Sequence, residues 1–118
     1  MEVVLQNTAK TVGSGLLEVF ATPAMIALME KTASDSVAPY LEEGEGTVGV
    51  RLDVVHTAAT PIGMTVRCES ELVQIDRKRL VFSVVAFDDA GEIGRGTHER
   101  FIINNEKFLS KTYAKKQM

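Results

Sequence analysis

Thr22-Pro23-Ala24-Met25-Ile26-Ala27-Leu28-Met29-Glu30 is the stretch on which the fold turns. A threonine before a proline marks a helix start. The hydroxyl can cap the first turn, and proline suits the first helical position because its missing N–H has no partner there anyway. The helix is predicted to run towards Ala38, where Pro39 and the loop from Glu42 to Gly46 stop it. Beyond that loop the period falls to two. Val48, Val50, Leu52 and Val54 alternate with Gly49, Arg51, Asp53 and Val55, as in a strand with one buried face. Thr60-Pro61-Ile62-Gly63 turns the chain into a second strand, in which Met64, Val66 and Cys68 alternate with Thr65, Arg67 and Glu69.

Asp76-Arg77-Lys78 then turns into Leu80 to Phe87, apolar on both faces and so expected to be central. Asp88-Asp89-Ala90-Gly91 reads as a hairpin turn before a last strand, from about Glu92 to Ile103. In front of the helix, Glu2 to Gln6 is expected to form a short strand and Thr8 to Gly15 a loop. A short helix is expected from Asn105. One long, nearly all-apolar helix must be covered on most sides by one sheet, and a curled antiparallel sheet around a central helix does this. The expectation is a single α+β domain over residues 1–118. Gly94 and Gly96, two apart in the last strand, suggest close approach by another backbone. Such a sheet keeps an open edge, which predicts a homodimer.

The composition narrows the partners. With 118 residues, a net charge of −3 and a single cysteine, Cys68, the chain carries neither the basic face of a nucleic-acid binder nor an internal disulfide. No apolar run is long enough to span a membrane, and Met1-Glu2-Val3-Val4 lacks the features of a signal peptide, so the cytoplasm is expected. Lys107, Lys111, Lys115 and Lys116 form either a solvated helix face or a local attraction for phosphates. Gly44-Glu45-Gly46-Thr47-Val48-Gly49 spells G-x-G-x-x-G but leads from helix into strand, the reverse of a dinucleotide site, and is a loop. No metal-ligand spacing occurs, since His56 and His98 stand far apart.

Polar residues in apolar positions mark candidate chemistry. Glu30 shares its helix face with Pro23, Ile26, Ala27, Ala33, Ser34 and Val37, where a buried carboxylate is costly and is a candidate general base. The alternative is a structural glutamate bonded to backbone or Ser34. His56 has the parity of the apolar row of its strand and reads as a core histidine or a catalyst. Two titratable groups facing one apolar wall favour chemistry. Thr22, a helix cap on its own, shares the face with Glu30 about 12 Å along the axis, too far for a direct bond and enough for a substrate carbonyl or water. His98 reads more readily as a strand-face residue than as part of a site.

Val19-Phe20-Ala21-Thr22, the helix through Leu28-Met29-Glu30, Ala38-Pro39-Tyr40-Leu41-Glu42, Gly44-Glu45-Gly46, His56-Thr57-Ala58-Ala59-Thr60-Pro61 and Gly96-Thr97-His98-Glu99-Arg100 together resemble the fluoroacetyl-CoA thioesterase-like branch of the hot-dog-fold thioesterases, over roughly residues 10 to 113. The resemblance implies a hot-dog fold and hydrolysis of an acyl-CoA thioester carrying a short or small acyl group, with no cofactor beyond the CoA of the substrate. A non-catalytic acyl-CoA-binding module and an enoyl-CoA hydratase-like enzyme are the alternatives. By resemblance, Thr22, Glu30 and His56 form the catalytic set, Gly49 lends its backbone and Arg100 lines the pocket. In one place the chain departs from the family. Where the fluoroacetyl-selective member has a longer, aromatic-rich lid segment, this chain has only Val12-Gly13-Ser14-Gly15-Leu16-Leu17-Glu18, which puts fluoroacetyl specificity in question.

Overall fold

The computed structural model describes residues 1–117. Four strands, β1 (Glu45–His56), β2 (Arg67–Asp76), β3 (Arg79–Asp88) and β4 (Gly91–Asn104), form one antiparallel sheet in the order β1-β4-β3-β2. Three helices accompany it: α1 (Ala9–Val12), α2 (Thr22–Val37) and α3 (Asn105–Tyr113). The strand that is apolar on both faces, β3, is internal as its pattern requires. Leu80, Phe82, Val84 and Ala86 are buried beneath α2, while Val81, Ser83 and Val85 are half-buried on the other face. Burying each of these larger apolar side chains contributes about 1.5–3 kcal/mol.

The helix lies on the sheet along a narrow stripe. Met25, Met29, Ala33 and Val37, four residues apart, are its buried residues, and they pack with Phe82, Val84, Ala86 and Ile93. Gly94 makes the close approach possible, since a Cβ there would stand 2.7 Å from the Met25 sulfur. The helix is therefore less enclosed than its composition predicts. Pro23 and Ala27 stay exposed, on the helix face that carries Glu30, which meets Gly49 of β1.

Several local expectations are corrected. Glu2 makes only an isolated bridge to Thr65, and Leu5–Asn7 is a 3-10 turn rather than part of a strand. Within the expected loop, Ala9–Val12 forms a helical turn ended by Gly13 at φ 92°. The second strand starts at Arg67, not Met64. Thr22 is the first residue of α2 rather than its cap, a place taken by Ala21, and no side chain caps the helix.

In β1 the alternation slips by one. A bulge between Gly49 and Arg51 leaves Val50 as the extra residue, and Val50 is 53% exposed. A bulge reverses the parity of everything on one side of it. Thr47 and Gly49 thus face the helix, together with Leu52, Val54 and His56. At the other end of the sheet, α3 begins as expected, capped by the Asn104 side chain. Its lysines, Lys107 and Lys111, are exposed, as are Lys115 and Lys116 beyond it. Among the described residues, no helix is long and apolar enough to cross a membrane.

Candidate active site

Freed from capping, the Thr22 hydroxyl finds another partner. Thr22 Oγ1 lies 2.8 Å from Nδ1 of His56. The histidine reaches it because β1 ends there and its side chain faces inwards, while Pro23 fixes the first turn of α2. Burial pushes the His56 pKa below its ordinary value, with the backbone at Ala58 pulling the other way. A neutral ring can accept the threonine proton at Nδ1 while Nε2 carries a hydrogen. Among the described residues, Nε2 is buried with no partner at good hydrogen-bond geometry. The pair opens onto a cavity of about 240 Å³ that Ala9, Ser14, Val19, Phe20 and Ala58 also line.

Glu30, eight residues further along α2, belongs to a second cluster. Its Oε2 is 3.4 Å from Nη1 of Arg100, and it occupies the space where Gly49 would carry a Cβ. Any other residue at position 49 would displace the carboxylate. Arg100 is buried and anchored by Thr47, with Nε donating to Thr47 Oγ1 at 2.9 Å and Nη2 to its carbonyl oxygen at 3.0 Å. Burial pulls the guanidinium below its usual range, and the charge of Glu30 works against that pull.

Glu30 is more open than its helix face predicts, since its side chain is 38% exposed. It lies beside the buried stripe rather than on it, and the positive charge of Arg100 meets it there. The expected choice between backbone and Ser34 as its partner is thus replaced by Arg100.

The structure thus pairs Thr22 with His56 and gathers Glu30, Gly49 and Arg100. Among the described residues, no hydrogen bond or ion pair within one chain joins the two sets. Thr22 and Glu30 are about 12 Å apart by helical rise, and Gly49 and His56 roughly 20 Å apart by strand rise. His98 is the residue that strand reading undervalued. It is fully buried and 3.1 Å from Arg100, inside the Glu30 cluster. The signal was available in parity, because His98 and Arg100 continue the row of Gly94, whose missing side chain clears space for the helix, and of Gly96, which clears space for β1. Among the described residues, no group of three His, Cys, Asp or Glu side chains is placed to hold a metal.

The model of the fluoroacetyl-CoA-specific thioesterase family matches residues 3–106. The fluoroacetyl-CoA thioesterase of Streptantibioticus cattleyicolor is 50% identical over 98 residues, 83% of this chain and 70% of its own. The chain belongs to the fluoroacetyl-CoA-specific thioesterase family.

Solved structures agree with this membership. A mutant of the fluoroacetyl-CoA-specific thioesterase, in complex with fluoroacetate and CoA, superposes with a TM-score of 0.92 at 42% identity, covering 98% of this chain and 94% of the other. A hot-dog-like protein from Thermanaerovibrio acidaminovorans matches with a TM-score of 0.88 at 26% identity, covering 98% and 85%. The fold is the hot-dog fold, as the family resemblance implies.

Proposed function

We infer that the protein hydrolyses acyl-CoA thioesters of small acyl groups to the carboxylic acid and free CoA. The hydrogen bond between Thr22 and His56 carries this reading, because it joins a hydroxyl to a base beside an open cavity. In the attack step, the Thr22 hydroxyl passes its proton to His56 and adds to the thioester carbonyl, or holds that carbonyl while water adds. The N-terminus of α2 and the backbone near Gly49 supply N–H groups for the oxyanion. Glu30, held by Arg100, serves as general base for water or as the nucleophile of a transient anhydride. His56 returns the proton to the leaving thiolate. The reaction needs no cofactor, and its CoA substrate places the enzyme in the cytoplasm.

The working unit we propose is a homodimer. The backbone of β1 is unpaired on the side away from β4, and the adjacent face of α2 exposes Pro23 and Ala27 on the same side as Glu30. A second copy pairing antiparallel along β1 would bring the His56 end of one strand towards the Gly49 end of the other. Thr22 and His56 of one protomer would then face Glu30 of its partner, which closes the gap between the two clusters. Light scattering at micromolar concentration is expected to give twice the 12.9 kDa of the chain. A monomer under those conditions would defeat the dimer.

Incubation with a panel of acyl-CoAs and a thiol-trapping reagent tests the activity. Thiol release is the expected result. Loss of enoyl absorbance without thiol would identify a hydratase instead, and binding without turnover a carrier module.

A further inference from the structure

We propose that His98 is a positioning residue for this reaction, fixing Arg100 and, through Arg100, the carboxylate of Glu30. The proposal rests on the reading of Glu30 as a reacting group. His98 is fully buried, and Phe82 stacks on its ring with 6.2 Å between centroids. Nδ1 lies 2.8 Å from the carbonyl oxygen of Arg51. A carbonyl can only accept, so Nδ1 carries the hydrogen. Nε2 lies 3.1 Å from Nη1 of Arg100. A guanidinium can only donate, so Nε2 presents its lone pair. Both neighbours require the same neutral tautomer, and the ring has no other way to satisfy them.

The consequence for Arg100 follows from counting its donors. Nε donates to Thr47 Oγ1, and Nη2 gives one of its two hydrogens to the Thr47 carbonyl. Nη1 has two hydrogens, one directed at Nε2 of His98 and the other at Oε2 of Glu30. Because the guanidinium is planar, the lone pair of His98 helps, beside Thr47, to fix the plane in which Nη1 also points at the carboxylate. Without that acceptor, one N–H of a buried cation is left unpaired, which is costly, and the guanidinium turns to find another partner. The carboxylate turns with it. Small misplacements of a reacting group lose large factors in rate.

The opposing explanation is that His98 only stitches β4 to β1 through the Arg51 carbonyl. Its two nitrogens can be tested one at a time. His98→Asn keeps an amide N–H near Nδ1 for Arg51 but offers Arg100 no acceptor. His98→Gln places a carbonyl oxygen near Nε2 and keeps the acceptor for Arg100. The measurements are kcat and KM for the best acyl-CoA of the panel, with circular dichroism and thermal melting of each variant. His98→Asn is expected to lower kcat by about tenfold or more, with KM changed less than about threefold, as for loss of a supporting hydrogen bond. His98→Gln is expected to recover kcat to within about threefold of wild type. Should His98→Asn fail to fold, His98→Phe takes its place, because it keeps the ring volume against Phe82 and removes both nitrogens.

Equal activity in the wild type and the Asn or Phe variant would overturn the role of His98. So would losses that are equal in Asn and Gln and follow their melting temperatures. A wild type that releases no thiol from any acyl-CoA would instead remove the thioesterase reading, and this role with it. An active wild type with an unaffected Asn variant removes only this role.

Discussion

Glu30→Gln is expected to lower kcat on the best acyl-CoA by at least about tenfold, the lower side of general acid–base effects, and His56→Ala by at least as much. Glutamine keeps the shape of the side chain beside Gly49 and Arg100 but can neither take a proton nor attack a carbonyl. The fold should survive the change. Arg100 is buried, but Glu30 is 38% exposed and 3.4 Å away, so water screens the pair. Its loss costs about 1 kcal/mol rather than the several expected where both partners are dry. A rate defect far larger than the stability defect is therefore the signature of chemistry. Wild-type rates in folded Glu30→Gln and His56→Ala would sink the assignment.

The pH dependence separates the two variants. Burial holds the His56 pKa below its ordinary value, and the neutral ring is the form that accepts a proton from Thr22. Wild-type kcat should hold its value as pH falls to about 6.5, the ordinary histidine value, and decline only below it, as the ring becomes charged. Residual activity in His56→Ala should lack that limb, whereas residual activity in Glu30→Gln should retain it.

How much of this was legible before the structure depends on the kind of signal. α2 could be read because Pro23 fixes its start and an apolar run of helical length follows. β3 could be read as internal because neither of its faces is polar. These are signals of composition and period, and small shifts in geometry do not erase them. The bulge at Val50 is different. It adds one residue to one strand and has no sequence signature here, so simple alternation puts Val50 inside and Gly49 outside, the reverse of what the structure shows.

The same sensitivity to a single residue affects Thr22. As a cap its hydroxyl would be spent on backbone. One position further in, with Ala21 as the cap, the hydroxyl is free for His56. The helical wheel placed Glu30 on an apolar face but could not supply Arg100, which lies 70 residues away on β4. Parity along β4 does put His98 and Arg100 on the helix side, so that pairing was readable in outline once the strand was counted from its glycines.

The ratio of kcat/KM for fluoroacetyl-CoA to that for acetyl-CoA is expected to stay below about a thousand, which is more than one small pocket contact provides. The family is named for fluoroacetyl-CoA specificity, so the expectation runs against the relatives and needs a structural reason. Fluorine and hydrogen differ little in size. Discrimination between them calls for a dry, closed environment around the acyl carbon, of the kind a lid creates by excluding water. This chain has no aromatic residue before Phe20. In the segment that would cover the Thr22–His56 cavity, Leu16 is 89% and Leu17 68% exposed, so neither side chain is packed over it. Gly13 ends α1 at φ 92°, turning the chain at the edge of the cavity. Apart from Val19 and Phe20, the lining is small, with Ala9, Ser14 and Ala58 around the reacting pair, which leaves room for water beside the acyl group. A dimer joined along β1 adds the Glu30 region of the partner to one side of the cavity, and the partner's copy of this segment carries no aromatic side chain either. Ratios well above a thousand would show that the small-residue cavity of this chain excludes water without a lid. Ratios near those of other small acyl groups would point to the lack of aromatic side chains between Val12 and Glu18, rather than to Thr22, Glu30 and His56, as what sets fluoroacetyl selectivity in this chain.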